Sequence, residues 1–245
     1  MTIDLFIRSY YRDFEWLKYC LQSVRQYCTG FQKVVIVVPK ADEGRLRVLG
    51  ICDDVEVRFC ERLKDDYFGQ QVTKLDADRY CSADFICHVD SDCLFRVPLN
   101  ADTLFGNYKP TWVISPYAIL PNARGWQSAS ERFMGRHVEF DFMRRQPIVI
   151  SRELYSELRK YCLKAFNSSL AEYALSNGAD GFSEYNALGA FAYYECNSDF
   201  AWSVRNDESV DESICRWFWS WSGVTEEVEQ EIIRILSCHT VSRLP

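Results

Sequence analysis

Several features that mark other classes of protein are missing from this 245-residue sequence. It has no run of about 18 apolar residues, so we expect no membrane-spanning helix. It has no basic excess, since 28 Lys and Arg stand against 35 Asp and Glu and the formal net charge is −7. An acidic chain without a basic stripe is not expected to bind nucleic acid or an anionic membrane, although one phosphate pocket remains compatible with it.

Paired cysteines and a leader-like N-terminus are missing as well. The sequence has 11 cysteines but no Cys-x-x-Cys pair, the spacing typical of zinc and thioredoxin sites. Several of them lie in apolar, strand-like runs, where a thiol acts as a small buried hydrophobe. No basic segment followed by an apolar run opens the chain, so we predict no signal peptide. We therefore expect reduced thiols and a cytoplasmic location.

What the chain does contain is an alternation of strand and helix patterns. Strands are predicted at 3–7, 33–38, 55–60 and from 85 onward, and helices at 14–24, 41–49 and 70–80 between them. This β-α-β-α-β-α-β order predicts an α/β fold with a mainly parallel central sheet flanked by helices. The length suits one domain.

The pattern is looser in the second half. Residues 116–134 are rich in Pro, Asn, Gly and Ser and are predicted to form a long irregular loop, a candidate substrate lid. The Ser209-x-x-Glu212 spacing is that of a capping box and predicts a helix start. Trp217, Trp219 and Trp221 alternate, which favours one face of a strand. Further predicted elements are strands at 111–115 and 147–150 and helices at 151–167, before 177–178, at 183–194 and from 225.

The segment that attracts most attention is the apolar run at 85–89, which leads into Asp90-Ser91-Asp92. In a parallel sheet, ligands bind beyond the carboxyl ends of the strands, which is where these two carboxylates are predicted to lie. Carboxylate oxygens are the ligands that Mg²⁺ and Mn²⁺ prefer. The alternative is an ordinary acidic turn after a strand, because Asp and Ser are common turn residues.

Other segments, taken with this motif in chain order, resemble GT-A glycosyltransferases. The similarity is to small soluble sugar transferases of a bacterial and large-DNA-virus branch, and it spans roughly residues 3–195. The segments that carry the resemblance are Arg8-Ser9-Tyr10, Gln70-Gln71-x-x-Lys74-Leu75, Asp90-Ser91-Asp92, Phe140-Asp141-Phe142-Met143-Arg144-Arg145 and Phe182-Ser183-Glu184-Tyr185.

The resemblance implies a GT-A fold, a UDP- or GDP-sugar donor, a Mn²⁺ or Mg²⁺ ion, and transfer of the sugar to an acceptor hydroxyl, such as one on a glycan. Residues 1–100 would form the nucleotide-binding half and residues 101–245 the acceptor-binding half. Asp90 and Asp92 would hold the metal that neutralises the departing diphosphate. His239 is a candidate for a further metal ligand.

Candidate donor contacts lie on both sides of the metal motif. Arg8, Ser9 and Tyr10 follow the first strand and are expected near the donor phosphate or base. Lys74 is implied to lie near the donor phosphates, and its alternative is a solvated lysine on a helix. Ser91 either hydrogen-bonds the donor or serves only as a small turn residue.

Glu184 is the candidate general base, because a carboxylate in the first turn of a helix is held ionised and aimed outward. Its competitor is Asp180, and the alternative for Glu184 is a purely helix-stabilising role. Trp126 offers a flat face to a sugar. Arg144 and Arg145 are expected to bind the acceptor, or else to pair with Asp141 or Glu139.

Two other functions stay open at this point. An Asp-x-Asp phosphatase would use Asp90 as its nucleophile, but Leu94 and the mid-chain position of the motif speak against it. A non-catalytic module that binds nucleotide sugars would keep both aspartates. It would show no turnover with any donor.

Overall fold

The computed structural model describes residues 1–50, 53–63, 66–178 and 181–237. Its strands are β1 Ile3–Arg8, β2 Cys28–Thr29, β3 Lys33–Pro39, β4 Glu56–Cys60, β5 Phe85–Asp90, β6 Cys93–Phe95, β7 Leu99–Asn100, β8 Phe105–Gly106, β9 Lys109–Pro116, β10 Phe140–Asp141, β11 Ile148–Ser151, β12 Ala201–Val204 and β13 Cys215–Trp217. Its α-helices are α1 Phe14–Tyr27, α2 Glu43–Leu49, α3 Asp66–Leu75, α4 Arg124–Met134, α5 Arg152–Phe166, α6 Leu170–Ser176, α7 Glu184–Glu195 and α8 Glu226–Ser237.

The central sheet has the strand order β11-β5-β1-β3-β4. Strands β5, β1, β3 and β4 run parallel, and β11 pairs antiparallel with the outer edge of β5. The Val- and Ile-rich sequence of β3 suits a strand covered on both faces, as parallel strands usually are. The α/β fold with a mainly parallel sheet is therefore confirmed, and the arrangement is consistent with a Rossmann-like fold.

Helices cover the sheet on both faces because the side chains of each strand alternate. In β1, Leu5 and Ile7 pack on one face with Leu17 and Leu21 of α1. Phe6, between them, points into the opposite core, which α5 and α7 fill. Helix α7 is buried over most of its length, so it forms part of the interior. Its first residue is Glu184.

A smaller sheet of order β10-β9-β12 extends the second half, with β8 also paired to β9. The predicted irregular loop at 116–134 is wrong. Short 3₁₀ turns occupy Tyr117–Ile119 and Pro121–Ala123, and α4 follows directly. Ala129 and Phe133 of α4 are buried. Because the segment is rich in Pro and Ser, the apolar residues that recur in it at helical spacing were not recognised as a helix.

The capping-box prediction at Ser209 is also wrong, because no helix begins there. The Ser209 hydroxyl donates to the Asp207 carboxylate. The carboxylate of Glu212 instead accepts from the Arg216 guanidinium at 2.6 Å and from the Trp217 amide at 3.2 Å. Other partners within five residues have replaced the pairing of a capping box.

Two of the remaining predictions concern buried polar groups. The nine cysteines within the described ranges are free thiols, and Cys52 and Cys238 lie outside them. His88 is fully buried beside the Tyr155 hydroxyl at 2.5 Å, and burial lowers the pKa of its imidazole to about 3. It is a core residue, as predicted. Across the described ranges, every helix is too short or too polar to cross a membrane.

Candidate functional site

A cleft of about 320 Å³ opens at the carboxyl edge of the central sheet. Arg8 and Asp90 end the adjacent strands β1 and β5 in register, which places them side by side on its floor. Eight of the predicted site residues line this cleft, which we call the sheet-edge cleft. They are Arg8, Tyr10, Lys74, Asp90, Ser91, Asp92, Trp126 and Glu184. Ser9 is buried beside it, and its amide donates to the Val37 carbonyl at 3.0 Å.

Lys74 connects the Asp90-Ser91-Asp92 motif with Glu184, the candidate base. Its Nζ donates to Asp90 Oδ1 at 2.6 Å and to Glu184 Oε1 at 2.9 Å, and its side chain is only 3% exposed. Burial by itself would lower the pKa of this ammonium, but the two carboxylates raise the pKa well above its usual value. Lys74 therefore stays charged, and the alternative of a solvated lysine is wrong. A buried cation of this kind requires such partners.

Glu184 begins α7 and is 5% exposed. The preceding residue, Ser183, is the N-cap, and its hydroxyl accepts from the Asn186 amide at 3.4 Å. The helix N-terminus and the Lys74 ammonium both place positive charge beside this carboxylate. Among the described residues, the cation bound to Glu184 is Lys74, which contacts Oε1, and the side chain lines the cleft.

Asp92 binds the segment that follows β13 through two hydrogen bonds. Its Oδ2 accepts from the Ser220 amide at 2.8 Å, and its backbone carbonyl accepts from the Phe218 amide at 3.1 Å. Burial, reinforced by the nearby charge of Asp90, raises the pKa of the Asp92 carboxyl to about 6. Asp90 and Asp92 thus bring two carboxylates together at this end of the cleft, and Lys74 balances part of their charge.

Arg8 is the complementary positive group. It is 3% exposed, and its Nε and Nη1 find no acceptor in the described part of the chain. Burial lowers the pKa of the guanidinium, while the charges of Asp66, Asp13 and Asp42 oppose that change. A buried arginine with unused N–H donors is costly unless an anion completes its hydrogen bonds. The floor of the cleft thus contains donor groups that suit an anion.

Whether the cleft can hold a metal ion depends on the free carboxylate oxygens of Asp90 and Asp92. Among the described residues, Asp90 Oδ2 has one long contact, of 3.5 Å with Gln146 Nε2, and Asp92 Oδ1 has one contact, of 3.9 Å with the Cys93 thiol. Over the described ranges, no three His, Cys, Asp or Glu side chains are grouped so as to hold a metal on their own. Mg²⁺ commonly takes only one or two carboxylates together with substrate phosphates. The two aspartates fit a site of that kind, which the phosphates of a ligand would complete.

Two of the predicted site residues are not described by the structure, and three tryptophans lie elsewhere than predicted. Asp180 and His239 lie outside the described residues. The prediction that Trp217, Trp219 and Trp221 share a strand face is wrong, because β13 ends at Trp217 and Trp219 turns with a φ of 58°. Trp217 and Trp219 stack 4.6 Å apart, Trp221 is 84% exposed, and all three line the cleft. In the sequence, the only indication of a turn at this point was Ser220 together with the residues after it, since serine is a common turn residue.

The paired arginines go to different places. Arg144 is 6% exposed, contacts Asp141 Oδ2 at 3.3 Å, and donates to the backbone carbonyls of Glu208 and Ser209. It lines a second cleft, described below. Arg145 donates to the Thr111 carbonyl at 3.2 Å and, within the described ranges, lines neither cleft.

Comparison with known proteins places the chain in a family. Residues 2–197, which include all but the tryptophan side of the sheet-edge cleft, match the family described as "Family of unknown function (DUF6492)". The chain belongs to this family. The comparison with curated proteins gave no match. Family membership thus carries no activity with it, and the function has to be argued from the cleft.

Proposed function

We propose that this member of the DUF6492 family is a metal-dependent glycosyltransferase of the GT-A type, which moves a sugar from a UDP- or GDP-sugar to an acceptor hydroxyl. The observation that carries the proposal is that one cleft contains a buried arginine with unpaired donors, an Asp-x-Asp motif and a glutamate in the first turn of a helix. Each suits one part of the reaction: anion binding, charge neutralisation on the leaving diphosphate, and proton removal.

The diphosphate side is formed by Arg8, Asp90 and Asp92. The guanidinium of Arg8 has two donors without partners for phosphate oxygens. Mn²⁺ or Mg²⁺, held by the free oxygens of Asp90 and Asp92, would supply the positive charge that the leaving group requires. Tyr10 and Trp221 lie on the rim and offer aromatic faces for the donor base.

The acceptor side depends on Glu184. Its carboxylate lies in the same cleft as the two aspartates and is held by Lys74, which also contacts Asp90 at 2.6 Å. Lys74 therefore sets the separation between the base and the metal motif. Deprotonation of the acceptor hydroxyl by Glu184 produces the nucleophile that attacks the donor sugar.

Donor binding is the first test. UDP- and GDP-sugars are screened by thermal shift with and without Mn²⁺, and a stabilising donor is expected only with the metal. Asp92→Ala is expected to abolish the metal-dependent shift because it removes an oxygen ligand. Asp102→Ala, an exposed aspartate outside the cleft, is the matched control and keeps the shift. Metal-dependent binding that survives in Asp92→Ala would refute the role of the motif.

Turnover is the second test. Glu184→Gln keeps the shape of the side chain but not its basicity, so we expect unchanged donor affinity and transfer that is slower by about 10²-fold or more. Glu153→Gln is the control, since Glu153 is also in the first turn of a helix but on the surface. Unchanged transfer in Glu184→Gln would move the role to Asp180 or another carboxylate. Donor binding without turnover in the unmodified protein would favour a binding module.

A further inference from the structure

A second cleft of about 210 Å³ adjoins the sheet-edge cleft, and we call it the side cleft. Trp126, Met143, Trp217 and Trp219 line both, so single side chains separate the two spaces. Met143 also accepts a hydrogen bond from Ser183, whose Oγ lies 3.1 Å from the Met143 sulfur. Ser183 immediately precedes Glu184. A molecule in the side cleft would therefore lie next to the candidate base.

The side cleft combines aromatic and apolar walls with one buried polar pair. Leu120, Pro121 and Val210 line it together with the tryptophans. Its polar groups are the buried ion pair Asp141–Arg144 and the exposed Glu208. Arg144 Nε is buried and has no acceptor among the described residues. A ligand that brings an oxygen atom to Arg144 would give this donor the acceptor that it lacks.

Charge and size narrow the ligand further. Asp141 and Glu208 outnumber Arg144, so the lining has a formal charge of −1 and disfavours an anionic ligand. The volume is below the ~300–1,000 Å³ typical of drug-sized ligands, which suits a single ring. A pyranose ring has hydroxyls for a guanidinium–carboxylate pair and C–H faces for an indole.

From these contacts we infer that the side cleft binds a neutral sugar ring of the acceptor, with its hydroxyls on Arg144 and Asp141 and one face against Trp126 or Trp219. This inference rests on the proposed transferase function for its biological meaning, but the binding itself does not require a donor. It also gives the buried Arg144 a ligand-binding purpose beyond its contacts with residues 208 and 209.

The test uses methyl glycosides of neutral hexoses and the matching methyl glucuronide as probes. Binding to the full chain is followed by saturation-transfer NMR without donor. Val210→Trp fills the side cleft from a residue that does not line the sheet-edge cleft. Val204→Trp is the matched control, because Val204 is half exposed on β12 and lines neither cleft.

At least one neutral glycoside is expected to bind, with affinity reduced about tenfold or more in Val210→Trp and unchanged in Val204→Trp. Both variants should retain the melting temperature of the unmodified chain, which shows that they fold. Stronger binding of the glucuronide, equal binding to Val210→Trp, or no binding of any glycoside to the unmodified chain would overturn the inference.

The outcomes also separate this inference from the proposed function. If glycosides bind as expected but no nucleotide sugar stabilises the chain, the sugar site stands and the transferase proposal fails. If donors bind and are turned over while Val210→Trp transfers to the same acceptor with an unchanged KM, the transferase stands and the side cleft is not its acceptor site.

Discussion

Asp13 lies on the wall of the sheet-edge cleft and is half-buried. Burial raises the pKa of its carboxyl to about 6, with a smaller contribution in the same direction from Asp90 and opposing effects from the Ser220 hydrogen bond and from Arg8. In the unfolded chain the same carboxyl titrates near 3.8. The fold therefore binds the proton of Asp13 more tightly than the unfolded chain does.

This difference fixes the sign of a pH effect. The contribution of Asp13 to folding is fully present below pH 3.8 and is lost as the pH rises through about 6. The asparagine of Asp13→Asn does not titrate. At pH 7.5 this variant should therefore have a higher melting temperature than the unmodified chain, and its unfolding free energy should be larger by at most about 3 kcal/mol. The gain should shrink toward pH 4.5.

Thermal melts across this pH range, in the presence of a chelator, measure the effect directly. Asp102→Asn is the control, since Asp102 is exposed and lies outside the sheet-edge cleft. A stability difference between Asp13→Asn and the unmodified chain that does not vary with pH would show that burial does not oppose the charge of Asp13.

At the same scale, the sequence predicted the positions of several cleft residues in strands and helices better than it predicted their contacts. The position of Asp90 and Asp92 at a strand end followed from the alternating pattern, and the first-turn position of Glu184 from its N-cap. The bridge from Lys74 to Glu184 joins residues 110 positions apart. No local pattern encodes such a pair, because it depends on how α3 and α7 pack.

Among the elements, those with strong periodicity were predicted well. Strands β1, β3 and β5 and helices α1 and α5 lie within a few residues of their predicted ranges. The failures come where tertiary contacts decide the backbone. Trp219 leaves the strand direction because the amides of Phe218 and Ser220 bind Asp92, which is more than a hundred residues away. An alternating pattern of tryptophans contains no information about that partner.

The turn at Trp219 also changes which residues form the mouth of the cleft. A strand face would have placed the three tryptophans in the core, whereas the turn brings Trp219 and Trp221 to the mouth of the cleft. The segment from Trp217 to Trp221 is also attached to the metal motif through Asp92. Binding of a cation by Asp92 would thus act directly on the segment that contains the aromatic rim.

On the scale of the whole molecule, helix α7 connects the parts that form the two clefts. It presents Glu184 to the sheet-edge cleft and packs against α3, α4 and α5 within the larger core. Gly189, in the middle of α7, lies against the side chain of Phe142, the residue that directly follows β10. The Asn186 side chain accepts from the Phe142 amide at 2.9 Å, one turn earlier. Helix α7 can therefore approach Phe142 this closely because residue 189 is a glycine and has no side chain.

Gly189→Ala tests that approach. An added Cβ would lie 2.4 Å from Cβ and Cγ of Phe142, which is fully buried and unable to retreat without displacing Trp112 and Trp202. Alanine favours a helix by about 1 kcal/mol, but overpacking of about 1–3 kcal/mol or more should outweigh it. We expect a lower urea midpoint with an unchanged slope. Gly125→Ala, an exposed helical glycine whose added Cβ has no neighbour within 4 Å, should be neutral or stabilising. Equal gains in both variants would mean that α7 has room to move, and that Glu184 is held in place by Lys74 alone.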